Sequence, residues 1–185
     1  MNLPPLKHSV AALGLALMAL SGPAAHAAMT TVNFDMTGAQ SIGLLNDPAN
    51  EVRSLLIASG VQVVGLSWNV TLATFGTSWL SEMGVDLSAS GGAGVQLFPG
   101  FSDNFSGSGT YAGSVDLAAN NLDFFLGQDG LLTGRFFELF DDAGGGNADG
   151  VWRSGSVSVQ VVPEPASYGL AALALMGLAL SRRRQ

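Results

Sequence analysis

Between Leu66 and Leu72 apolar and polar residues alternate. Leu66, Trp68, Val70 and Leu72 fall on one side, Ser67, Asn69 and Thr71 on the other. A period of two is that of a β-strand with one face in a core and one in water. Val157, Val159 and Val161, alternating with Ser156, Ser158 and Gln160, predict a second such strand. Val32, Phe34 and Met36 predict one near the start, and Met83, Val85 and Leu87 another. Val95-Gln96-Leu97 is a short strand that Pro99 ends. Tyr111 to Leu117 and Arg135 to Phe140 supply two more. The last is apolar on both faces, so it is expected to be central and well covered. Glu51 to Ala58 reads as a strand in preference to a helical turn.

Glycine clusters separate these runs, at Gly91–Gly94, Gly107–Gly109 and Gly144–Gly146. Glycine weakens strand interiors and suits turns. Short strands divided by turn clusters predict an all-β fold, a two-sheet antiparallel sandwich of the jelly-roll kind. The sequence shows no internal repeat.

The two ends follow other rules. Met1 to Ala27 has the layout of a secretory signal: Lys7, an apolar core from Val10 to Leu20, then Ala25-His26-Ala27 as a small-x-small cleavage site. A signal helix cut by signal peptidase after Ala27 is expected. At the other end Pro163-Glu164-Pro165 precedes an apolar run from Tyr168 to Leu180, and Arg182, Arg183 and Arg184 follow. The prolines hold an extended segment before a stretch of Ala and Leu that favours helix. The arginines stop it on the cytoplasmic side. A helix from Ala166 to Leu180 would span roughly 22 Å at about 1.5 Å per residue. The hydrocarbon core is roughly 30 Å thick. So short a transmembrane helix suits a temporary hold.

This tail resembles the PEP-CTERM sorting signal of bacteria. The resemblance implies recognition by an exosortase-type membrane protease that cuts near Pro163, Glu164 and Pro165, with Arg182, Arg183 and Arg184 as the stop. It implies an exported protein with a transient inner-membrane intermediate, then a cell-surface or extracellular product. The expected organisation is therefore residues 1–27 as signal peptide, 28–162 as the sandwich domain and 163–185 as the sorting signal.

Composition narrows what the domain can do. All of the chain's 14 carboxylates except Glu164 lie between Ala28 and Val162, against the cations Arg53, Arg135 and Arg153. A domain this acidic should repel nucleic acid. The chain has 0 Cys, and both of its 2 His, His8 and His26, lie in the signal segment. Without His, Cys or Lys the domain lacks the commonest general base, thiol chemistry and Schiff-base chemistry. A Gly-x-Ser-x-Gly motif is also missing, so no enzyme and no cofactor are expected.

Three groups of side chains remain as candidates. Asp141, Asp142, Asn147 and Asp149 share a glycine-rich loop, a composition that can hold calcium. The EF-hand spacing is absent, and the plainer reading is a solvated hairpin loop. Trp79 and Trp152 are candidate sugar platforms, set against ordinary packing. Glu82 and Glu138 are carboxylates a hydrolase would need as a pair, though no spacing singles them out. Among the arginines, Arg153 is expected to pair with Asp149.

The interior resembles bacterial PEP-CTERM proteins with a β-sandwich domain. The matching segments are Val63–Trp68, Ser78-Trp79-Leu80-Ser81-Glu82, and Phe136–Asp142 with Asp149-Gly150-Val151-Trp152. The last is similar, more loosely, to the end of the proprotein-convertase P domain. The function expected is that of a secreted, non-enzymatic surface or matrix protein associated with exopolysaccharide, in a biofilm for example. The alternatives are a carbohydrate- or calcium-binding module and, third, a carboxylate-based hydrolase.

Overall fold

Among the described residues ten strands form two antiparallel sheets. A computed structural model of the protein describes residues 28–163, together with Leu175 and Met176. The first sheet holds β1 (Thr30–Asp35), β2 (Ala39–Ser41), β4 (Gln62–Thr74), β7 (Ser108–Asp116), β8 (Phe124–Phe125) and β10 (Gly150–Val162). Its order is β1-β10-β4-β7, with β2 beside β10 and β8 beside β4. The second holds β3 (Val52–Leu56), β5 (Met83–Ala89), β6 (Gly94–Leu97) and β9 (Leu131–Glu138), in the order β3-β9-β5-β6.

Alternation explains the sandwich. Leu66, Val70 and Leu72 from β4 and Val157, Val159 and Val161 from β10 are buried, and they join Val85, Leu87, Leu132 and Phe136 from the second sheet in one core. Trp68 is half-buried and packs against that core. Burial of such side chains contributes about 1.5–3 kcal/mol each, which is why the sequence periods survive in the structure. The strand over Arg135–Phe140 is central as expected, but it begins at Leu131 and ends at Glu138. Glu51–Ala58 does contain a strand, β3.

The long pair β4–β10 is interrupted twice, between Trp152 and Ser154 and between Gln160 and Val161. At the first shift Arg153 is the extra residue. It is exposed, and Asp149 bonds elsewhere, so the expected Arg153–Asp149 pair does not form. An ion pair joins Arg53 Nη2 to Glu51 Oε1 at 2.7 Å instead.

Gly155, just past that bulge, has φ +109, and a Cβ there would lie 2.1 Å from the Asn69 carbonyl oxygen. Both strain and a backbone clash forbid a side chain. Gly155→Ala should lower stability by on the order of 2 kcal/mol, read as a drop in the urea midpoint. An unchanged midpoint would mean that the bulge relaxes.

The strand register defines two poles. At one, Gly150 lies opposite Thr74 and Ser41, and Ala73 opposite Ser108. At the other, Thr30 lies opposite Val161, and Val162 opposite Gln62. Both ends of the body therefore leave from the second pole. β10 separates the poles by roughly 40 Å at about 3.3 Å per residue.

Among the described residues no helix is long and apolar enough to cross a membrane. The expected signal helix with Ala25 and Ala27, and the sorting residues Glu164, Pro165, Arg182, Arg183 and Arg184, lie outside the described residues. Pro163 is described and exposed, directly after β10.

Candidate functional site

Three loops meet at the first pole: residues 75–82 after β4, 98–107 after β6 and 139–149 after β9. Backbone hydrogen bonds stitch them together. Leu80 N–H donates to Phe105 O, Ser81 N–H to Asp103 O, Leu139 N–H to Glu82 O and Phe75 N–H to Asp149 O, all between 2.7 and 3.1 Å. Side chains add to this. Ser81 Oγ donates to Asn104 Oδ1 at 2.8 Å, and Tyr111 Oη to Asp103 Oδ2 at 2.6 Å. Burial and the neighbouring Asp103 push the Tyr111 hydroxyl well above its usual range.

Beneath the loops lies a set of buried polar groups: Ser41, Ser78, Glu82, Glu138 and Asp149. Glu82 Oε2 accepts the Trp79 N–H at 2.9 Å, and Glu82 N–H donates to Trp79 O at 3.1 Å. This closes the tight 3-10 turn over Leu80–Glu82 and fixes the backbone of Trp79. Asp149 accepts two backbone N–H groups, from Asp142 at 3.0 Å and Ala143 at 2.6 Å. It therefore ties down the start of its own glycine-rich loop. Its pKa is raised, first by burial, with those two bonds opposing.

Glu138 differs from both. It is 1% exposed, and neither carboxyl oxygen has a hydrogen-bond partner. Burial, then the charges of Asp149 and Glu82, push its pKa from 4.5 to about 9. The Ser41 hydroxyl is close enough to pull the other way, but it does not reach hydrogen-bonding geometry with either oxygen. A carboxylate kept from water and from donors is costly, so the group holds its proton instead. Glu138 is a neutral acid at pH 7.

Trp152 lies beside this group and is fully buried. Its ring meets Phe136 edge to face at 5.4 Å, bridging the two sheets, and its Nε1–H donates to Ser41 Oγ at 3.3 Å. Trp152 has no free face for a sugar, which corrects the reading of it as a platform. The reason is its phase, since it alternates inward with Gly150 on β10. Trp79 is 45% exposed and keeps an open face.

The candidate calcium residues are also distributed differently from a cage. Asp149 points inward with both oxygens engaged, Asp141 Oδ1 accepts Gly144 N–H at 2.6 Å, and Asn147 Nδ2 donates to Gly144 O at 2.9 Å. Among the described residues no group of three or more His, Cys, Asp or Glu side chains is placed to hold a metal ion. The loop's own backbone engages both Asp149 oxygens and one oxygen of Asp141.

What the sequence does not reveal is the apolar surface of this pole. Phe75, Trp79, Phe101, Phe105, Leu139 and Phe140 are all exposed, Phe101 by 80% and Phe105 by 75%. Beside Leu139 an open groove of about 600 Å³ is lined by Leu44, Asp47, Gln96 and Asp141, among others. The signal for this surface is aromatic residues set among Gly, Ser, Asp and Asn, where no strand can bury them.

Comparison with known proteins bears on the tail. Residues 161–184 match the PEP-CTERM protein-sorting motif. No curated protein matches the chain. Among solved structures it is similar to a serine protease of Aeromonas sobria, at 14% identity over 81% of this chain, with a TM-score of 0.43. The chain spans 29% of that protease's length. It is also similar to a chain of the Israeli acute paralysis virus particle, at 10% identity over 88% of this chain and 81% of that one, with a TM-score of 0.24. The molecule is an all-β sandwich protein with a PEP-CTERM sorting motif at its C-terminus. That motif implies an exported protein processed by an exosortase.

Proposed function

We propose that the protein is a secreted, non-enzymatic component of the cell surface or extracellular matrix. On this reading residues 1–27 are removed by signal peptidase, and a jelly-roll-like body of residues 28–162 is released by an exosortase from the sorting signal at residues 163–185. The observation that carries the proposal is the direct junction of body and motif. β10 ends at Val162, and the matched motif spans residues 161–184. A cut near Pro163 therefore leaves every strand of the sandwich intact. A structural role is supported by Glu82 and Asp149, whose buried carboxyl groups turn inward and brace loops. Exopolysaccharide is the matrix partner this reading favours.

The test replaces Pro163, Glu164 and Pro165 together by alanine in the native host. The variant should accumulate at full length in the inner membrane while the wild type appears outside. Release of the variant at the wild-type rate would count against sorting through this motif.

A further inference from the structure

We propose that β7, an outer strand of the first sheet, pairs antiparallel with β7 of a second copy of this chain, centred on Ala112. Among the described residues β7 bonds to β4 along one side, and its other side is an open edge. Thr74 N–H donates to Gly107 O at 2.9 Å, and Leu117 N–H donates to Val64 O at 2.8 Å, one at each end of the strand. In an antiparallel ladder every second residue bonds to the neighbour, so Gly109, Tyr111, Gly113 and Val115 bond to β4. Thr110, Ala112 and Ser114 therefore turn their N–H and C=O groups outward, and all three residues are exposed.

Folded proteins guard such edges with shortness, charge, proline or a bulge. The other outer strands are guarded. β6 has 4 residues, and β3 has 5 and carries Arg53. Arg53 Nη1 also covers the end of β1, donating to Asp35 O at 3.3 Å and Thr37 O at 3.0 Å. β7 has 9 residues, an unbroken register with β4, no proline and no charge before Asp116. It is also held in order. The Trp68 ring packs on Gly113 and the Tyr111 ring on Gly109, so neither glycine loosens the strand. Asn120 Nδ2 donates to Asp116 O at 2.7 Å and closes the edge at that end.

The chemistry of the edge fits a second copy. The body is strongly acidic, so two copies repel over most of their surface. From Ser106 to Val115 there is no charged residue, and there they can meet. A partner recognised through charge finds nothing to hold. Centring on Ala112 puts Thr110 opposite Ser114 of the second copy, and the reverse, so hydroxyls face each other twice. Tyr111 falls opposite Gly113, where no side chain collides with it, and Asp116 opposite Ser108 instead of its own copy. The three central pairs exchange about six main-chain hydrogen bonds. Tyr111 and Val115, half-buried at the margin of the core, gain cover. Two-fold pairing uses the open edge of both copies, so assembly stops at a dimer.

The test uses the full chain in detergent micelles. The sequence has 0 Cys, so single cysteines report position. Across the two-fold axis the two Ala112 Cα atoms would stand about 5.5 Å apart, within the span of a disulfide. Ala112→Cys should cross-link to a dimer on mild oxidation. Ser114→Cys alone should not, since its counterpart would lie about 13 Å away. Adding Thr110→Cys to Ser114→Cys should restore the cross-link. Ala112→Lys sets like charges face to face on an exposed position. It should weaken dimerisation by about tenfold or more, read by sedimentation, and leave the melting temperature in place. Added salt should strengthen the wild-type dimer by screening its acidic surface. A wild-type chain that stays monomeric, a dimer that Ala112→Lys leaves unchanged, or equal cross-linking of Ser114→Cys and Ala112→Cys would each overturn the pairing. So would a ladder of larger species, which would mean open-ended stacking of edges. None of these readouts depends on export.

Discussion

Glu138→Gln should remove most of the loss of stability that the wild type shows between about pH 5 and 9. In the unfolded chain Glu138 gives up its proton near 4.5, and in the folded protein it keeps it to about 9. Between those values the folded state binds the extra proton, so folding weakens as pH rises. The slope for one full proton is about 1.4 kcal/mol per pH unit. The wild type is therefore most stable on the acidic side of this window and weakest near pH 9. Asp149, whose pKa is also raised by burial, contributes in the same direction. The carboxyl groups of Asp35 and Asp129 are held low, mainly by hydrogen bonds from Thr37 and Ser90. Their contribution is lost only on acidification below the ordinary carboxylate range. Glu138→Met removes the unpartnered oxygens as well and should raise stability outright at pH 8. Urea midpoints measured across this pH range read both effects. A wild-type profile with the same slope as that of Glu138→Gln would show that Glu138 is ionised in the folded state.

Trp152→Ala should cost about 3–5 kcal/mol, the usual range for emptying an aromatic site in a core. The ring is fully buried, closes the space between the sheets against Phe136 and satisfies Ser41. Its loss also opens a void beside Glu138. Water entering that void would solvate the carboxylate, and the pH slope should shrink. The two sites are coupled, so Trp152→Ala and Glu138→Gln should not be additive. Denaturation of the two single variants and the double variant at pH 8 gives the coupling directly. Strict additivity would mean that indole and carboxyl do not share an environment.

The sequence made some of this legible and hid the rest for physical reasons. β4 and β10 stand out because each buries one face against the other sheet, which forces a period of two. β2, at Ala39–Ser41, and β8, at Phe124–Phe125, are too short to show any period. The end of β9 is hidden in the sequence because Leu139 and Phe140 look like strand residues, yet they turn out into solvent after Glu138. The inward direction of Glu138 was open to reading, since it lies two residues from Phe136 on a strand apolar on both faces. Its missing partners were not, because they depend on where β2 and the loop before β10 come to rest. The sequence leaves Asp149 on a solvated loop and Trp152 open between packing and a sugar platform, because both border a glycine-rich loop. In the structure that loop begins and ends under the pole, and both side chains close it from inside.

The most direct test is the intact mass of the protein recovered fraction by fraction from its native host. Sorting through the tail predicts an extracellular species that begins at Ala28 and ends near Pro163, with the sandwich complete. A species ending at Gln185 and confined to the inner membrane would contradict it, leaving the tail a plain anchor.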